Sequence, residues 1–175
     1  MRNNISIIKK NFFKNGFVVV KNVISLKKIG KIKREIKKVK QLSEKIKNPN
    51  LHYTKDKKIN TVHNLHKYLK RGEIISISKD KNVLNIVSNI LENKPIVRNI
   101  EFFSKPKKTG MMAPFHQDNF YWKFDDKKAL NIWIACNKSN KNNGGLNYFI
   151  KSHKHGLKKH ITSFAPGSSY KIEDK

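Results

Sequence analysis

The apolar residues of this sequence change their spacing at Pro95, and that break constrains the fold more than any other feature. Before it they recur at helical intervals; after it they fall into strand-length runs separated by turn residues. Ile5, Ile8 and Phe12 predict a first helix stopped at Asn15-Gly16, and Phe17 to Val20 reads as a short buried strand. Ser25 caps a second helix, with Leu26, Ile29, Ile32, Ile36, Val39, Leu42 and Ile46 on one face and most of its lysines on the other, the pattern of a solvated surface. Pro49 ends it, and the polar segment to Asn60 reads as loop. A short helix from Leu65 to Lys70 closes at Gly72. Asp80 caps another, carrying Val83, Leu84, Ile86, Val87, Ile90 and Leu91, which Pro95 terminates.

Strands are expected over Ile96–Ser104, Met112–Asp118, Leu130–Cys136 and Leu146–Ile150, with turns at Lys105–Gly110 and Asn142–Gly145. Helices packed outside a small β-sandwich or barrel is the architecture these pieces imply, in a single domain spanning residues 1–175. No apolar run approaches the roughly 18 residues of a membrane span, and the N-terminus has no signal-peptide pattern. With Cys136 as the sole cysteine no internal disulfide forms, so a cytoplasmic location is expected.

The 39 Lys plus Arg against 12 Asp plus Glu give a formal charge of +27. Arginine occurs only at positions 2, 34, 71 and 98, whereas nucleic-acid readers favour its bidentate fork. Lys, Asn and Ile are all abundant, so the charge reads first as a compositional background. A weak attraction for nucleic acid or anionic lipid comes second, and no specific nucleic-acid partner is expected.

His116 and Asp118 are the residues most suggestive of chemistry. On an extended strand alternate side chains share a face, so this imidazole and carboxylate project together while Gln117 points away. A second histidine from elsewhere completes a two-histidine, one-carboxylate triad, which leaves open positions on Fe(II). A bare His-x-Asp tripeptide is more often a surface loop; the following Phe120, Tyr121 and Trp122, and the strand bearing Trp133, strengthen the metal reading.

The run Ala113-Pro114-Phe115-His116-Gln117-Asp118-Asn119-Phe120-Tyr121-Trp122 is followed by Ala129 to Ala135, by Asn143-Gly144-Gly145-Leu146 and by Lys151 to Gly156. Together with Asn15-Gly16-Phe17 before a long helix, these motifs resemble the phytanoyl-CoA dioxygenase family from about residue 11 to residue 160. The resemblance implies a double-stranded β-helix, a cupin-like jelly roll with N-terminal helices packed outside. Residues 1–95 form the mostly helical part, and 96–175 the first part of the jelly roll, with distal strands missing. It further implies an Fe(II)- and 2-oxoglutarate-dependent dioxygenase that uses dioxygen to hydroxylate a small molecule, with decarboxylation of 2-oxoglutarate to succinate. His116 and Asp118 match the first two iron ligands, Trp133 a residue lining the co-substrate pocket, and Gln117 and Asn131 weaker co-substrate contacts. Family members that halogenate have a small residue in place of the carboxylate, so Asp118 points to hydroxylation.

The family places its second ligand histidine, and an arginine that pairs with 2-oxoglutarate, on later strands. No arginine follows Arg98, and His153, His155 and His160 match a loop rather than the distal ligand; His160 is the one remote substitute. The chain is therefore expected to be a fragment, poorly soluble, with weak iron binding. The competing functions are a degenerate jelly roll that binds without catalysis and, on charge alone, a basic nucleic-acid-binding protein. Trp133 without the family reads as core, Tyr121 and Trp122 equally as packing or substrate lid, and Met111 and Met112 as gap fillers. His52, His63 and His66 have no metal-binding spacing, and Cys136 reads as a small buried residue.

Overall fold

The computed structural model describes residues 4–43, 51–69, 71–124, 128–165 and 168–173. The expectations at Ile46, Pro49 and Lys70 lie outside them.

The helical half follows its sequence signals closely. Helix α1 (Ile5–Asn15) starts where the Asn4 side chain accepts from the Ile7 amide and stops at Gly16, which takes φ 86°. Helix α2 (Leu26–Ser43) begins at Ser25, whose hydroxyl accepts from the Lys28 amide at 3.2 Å. After the hairpin of β1 (Leu51–Tyr53) and β2 (Ile59–Val62) come two single-turn helices, α3 (Leu65–Tyr68) and α4 (Glu73–Ser76), and a 3-10 turn at Ile77–Lys79. Helix α5 (Lys81–Leu91) is capped by Asp80, which accepts from the Asn82 and Val83 amides. Glu92 ends it in the left-handed conformation, before Pro95 is reached.

The polar segment before Asn60 is a hairpin rather than a loop. Tyr53 returns to Ile59 through a turn in which the Thr54 amide donates to the Lys58 carbonyl at 2.8 Å. All four residues of β2 are buried, including Asn60 and Thr61, whose side chains bond to each other at 2.9 Å. Polar letters disguised this strand, since Asn60 and Thr61 are buried with only that bond between them, and the Asn60 Oδ1 has no partner among the described residues. Sequence reading also missed α4. There Gly72 opens the helix instead of closing the previous one, and Glu35 of α2 crosses it so closely that a β-carbon would lie 2.0 Å from the carboxylate. That carboxylate accepts the Ile74 amide at 2.9 Å.

The main core joins Ile32, Ile59, Val62, Leu65 and Ile74, flanked by Ile29, Ile36, Val39, Phe102 and a half-buried Cys136. Burial raises the Cys136 thiol pKa. Ile8 of α1 is buried, as are Val83, Val87 and Ile90 of α5, on which α1 packs.

The β half departs from expectation. Strand β3 (Phe102–Phe103) pairs antiparallel with β2, giving a sheet of order β1-β2-β3, while β4 (His160–Thr162) and β5 (Tyr170–Ile172) form a separate antiparallel pair. Between β3 and β4 lies α6 (Asn119–Trp122). Among the described residues no barrel closes, and Phe17–Val20, Met112–Asp118, Leu130–Cys136 and Leu146–Ile150 carry no strand ladder. Alternation specifies which face of a segment is apolar, but a strand also needs a neighbour about 4.8 Å away to take its amides and carbonyls. Without one, Phe115, Ile132, Trp133, Phe149 and Ile150 remain exposed.

Candidate metal centre

The residues from Pro114 to Trp122 bend at Phe115 and then turn at Asp118 into α6. Asp118 sits at φ −60° and ψ −30°, so its side chain swings back toward His116 through a helical turn rather than by strand alternation. His116 Nε2 and Asp118 Oδ1 lie 3.3 Å apart. Two ligands bound at right angles to a first-row divalent ion at about 2.1 Å are roughly 3 Å apart, so this spacing suits a shared ion.

Both side chains are held from behind. The His116 Nδ1 lies 2.8 Å from the Pro114 carbonyl, and since a carbonyl can only accept, Nδ1 carries a hydrogen and Nε2 is the nitrogen turned to Asp118. The neighbouring Asp118 carboxylate raises the His116 pKa, with burial opposing it and the Pro114 carbonyl adding to it. The Asn131 side-chain amide donates to Oδ2 of Asp118, the oxygen not turned to His116.

Strands β4 and β5 brace this turn. His160 stacks on Phe120 with ring centroids 4.3 Å apart, and its Nε2 accepts the Gln117 amide at 3.0 Å while Nδ1 bonds the Lys158 carbonyl at 2.8 Å. Both ring nitrogens are therefore used, so His160, the remote substitute ligand, serves as a brace with no lone pair free for a metal. The Tyr121 hydroxyl meets Ser168 Oγ at 2.8 Å and accepts the Tyr170 amide at 3.2 Å, and the Ile172 amide reaches the Phe115 carbonyl at 2.9 Å. Sequence reasoning left Tyr121 open and gave no signal for the bracing by His160.

The other expected site residues are placed as follows. Gln117 spends its amide on the 156–158 loop, donating to the Gly156 carbonyl at 2.8 Å and accepting from the Lys158 amide at 2.7 Å. Asn131 is next to the pair through Asp118, and Trp133 is 47% exposed. His153 bonds the Phe13 carbonyl of α1 at 3.0 Å, far from the pair in sequence and in role.

Iron fits this donor set in part: an imidazole and a carboxylate at suitable spacing, each oriented by a second bond. Among the described residues no group of three or more His, Cys, Asp or Glu is arranged to hold a metal ion. No helix among them is long and apolar enough to cross a membrane.

Comparison with known proteins supplies the family. Phytanoyl-CoA dioxygenase 1 of Oryza sativa subsp. japonica is 31% identical over 81 residues, covering 46% of this chain and 28% of that protein. A phytanoyl-CoA dioxygenase domain-containing protein 1 homolog of Caenorhabditis elegans is 24% identical over 186 residues, covering 84% of this chain and 64% of its own length. The chain thus spans less than two thirds of either relative. The sequence model described as phytanoyl-CoA dioxygenase (PhyH) matches residues 12–174, nearly the whole chain, and the protein accordingly belongs to the phytanoyl-CoA dioxygenase family.

Proposed function

We propose that this chain supplies His116 and Asp118 as two protein ligands of an Fe(II)- and 2-oxoglutarate-dependent oxygenase that hydroxylates a small molecule. The observation that carries the proposal is the 3.3 Å approach of His116 Nε2 to Asp118 Oδ1, inside a chain of this family. When bound, iron would supply the redox chemistry by which dioxygen, the oxidant, oxidises both the substrate and 2-oxoglutarate, one oxygen atom passing to each, with succinate and carbon dioxide as co-products. The protein's part is orientation. His116 offers its Nε2 because Pro114 holds Nδ1–H, and Asp118 offers Oδ1 because Asn131 holds Oδ2.

Trp133, Gln117 and Asn131 are the proposed contacts to 2-oxoglutarate. For Gln117 that role requires exchanging its bonds to the 156–158 loop, whereas Asn131 can keep its bond to Asp118, since its amide nitrogen carries a second hydrogen. Trp133 has no such debt: its half-exposed indole is free to form an apolar wall. Dioxygen is the second small-molecule partner.

A second reading, binding without catalysis, draws on the absence of a third ligand among the described residues and on the engagement of both His160 nitrogens. The two separate under anaerobic Fe(II) titration followed by exposure to oxygen with 2-oxoglutarate. The oxygenase reading expects one weak iron site, lost in His116→Ala and Asp118→Ala, and iron-dependent succinate. Iron binding without succinate supports the binding module, and iron binding indifferent to both substitutions sinks the site.

A further inference from the structure

Helix α2 sorts its cations into two sets. Those turned toward the body have partners: Lys28 pairs with Asp80 at 2.9 Å, and Lys40 lies 5.3 Å over the Phe102 ring. The outward set is Lys27, Lys31, Arg34, Lys37 and Lys38, all exposed, of which Lys31 alone has an ion pair among the described residues, with Glu73; Lys33 is exposed too but lies toward Cys136, whose thiol pKa burial raises and this charge lowers. Lys27, Lys31, Arg34 and Lys38 follow at intervals of four, three and four, so they form one stripe along the helix. From Lys27 to Lys38 it runs about 16 Å.

The helix's sole acid does not relieve this stripe. Glu35 points inward to the start of α4, accepting the Ile74 amide. Like charges at such spacing oppose helix formation, and Glu73, paired with Lys31 and close enough to feel Arg34, sets one carboxylate against the stripe's four cations. The apolar face of α2, with Ile29, Ile32, Ile36 and Val39, is committed to the core and cannot insert elsewhere.

We propose that the outward face of α2 docks on an anionic lipid surface, peripherally, with its cations over the headgroups. Four to eight Lys or Arg on an amphipathic helix are sufficient for such attraction, and lysine's compact charge serves a planar array of phosphates and carboxylates without a fixed geometry. One arginine in five cations suits a bilayer better than a nucleic acid, where bidentate contacts to defined phosphates and base edges set binding.

The test compares sedimentation of the whole chain with vesicles of phosphatidylcholine alone and with vesicles that also contain phosphatidylserine. Binding is expected only with phosphatidylserine, and to fall as salt rises. The triple variant Lys27→Gln, Arg34→Gln, Lys38→Gln should weaken it about tenfold or more, while the charge-matched variant Lys81→Gln, Lys107→Gln, Lys138→Gln should retain it. Glutamine is a good helix former, and circular dichroism checks that α2 persists. Equal losses in the two variants overturn the proposal in favour of diffuse charge. Tighter, stripe-dependent binding to a short DNA duplex overturns it in favour of a nucleic-acid surface.

Discussion

His116 and Asp118 face each other at 3.3 Å although neither lies on a strand. Their meeting depends on the helical turn at Asp118 and on two bonds from outside, the Pro114 carbonyl to His116 and the Asn131 amide to Asp118. An untethered carboxylate rotates and presents either oxygen, so Asn131 selects the one that faces the imidazole. Asn131→Leu, close in size and without a donor, should weaken Fe(II) or Co(II) binding by about 10- to 100-fold. The folded signal in circular dichroism should not move. Wild-type affinity in this variant would show that Asp118 needs no outside hold.

The two Asp80 contacts join distant parts of the chain. Its carboxylate caps α5 and pairs with Lys28 of α2, which lowers its pKa through the Lys28 bond first, with burial opposing and the α5 amides adding. A carboxylate with a depressed folded pKa contributes stability that is complete above its ordinary value of 3.8 and is lost as pH falls through the lower folded value. Asp80→Ala should therefore cost about 1 to 2 kcal/mol at neutral pH, from the lost cap and pair, and less in acid. Asp80→Asn keeps the cap and should recover about half of that loss. Urea melts of the three proteins at neutral and acid pH decide it; parallel pH curves for wild type and Asp80→Ala would refute the linkage.

Leu65 is 1% exposed in the core cluster with Ile32, Ile59, Val62 and Ile74. Leu65→Ala removes buried methyl groups and leaves a cavity, with an expected loss of about 2 to 5 kcal/mol in a denaturant melt. Lys67→Ala, two residues on at an exposed position, should change the melt by roughly 0.5 kcal/mol or less.

The helical half was legible because its signals are local. Asn4, Ser25 and Asp80 are caps within three residues of the amides they bind, and the faces of α2 and α5 follow from spacing alone. The β half was legible only as a list of apolar segments, since pairing partners lie far along the chain and alternation does not name them. Hence β2 hid behind Asn60 and Thr61, and Met112–Asp118, expected as a strand, is a bent segment that turns into α6. At the site, the motif and its aromatic surroundings identified the pair, yet the spacing argument assumed a strand. The common direction of the side chains comes instead from φ and ψ at Asp118. The bracing by His160 arises 43 residues away and leaves no local mark.

Gly16 ties the first helix to the segment after Gly145. It ends α1 at φ 86°, its amide donates to the Phe12 carbonyl at 2.7 Å, and a β-carbon there would lie 2.5 Å from His153 Nδ1. Around it the Lys151 amide reaches the Asn15 carbonyl at 2.9 Å, His153 reaches Phe13, and Phe17 stacks on Tyr148 at 5.1 Å. Gly16→Ala thus meets two penalties, a left-handed backbone costing about 1 to 2 kcal/mol and a collision with the imidazole. The two are separable. In a His153→Ala background the collision disappears while the backbone cost stays, so Gly16→Ala should cost less there than in the wild type, down to about 1 to 2 kcal/mol. Thermal or urea melts of the four proteins in this cycle measure the difference. Strict additivity would show that His153 does not press on Gly16 in solution, and that the docking of α1 on the 148–153 segment rests on the remaining contacts.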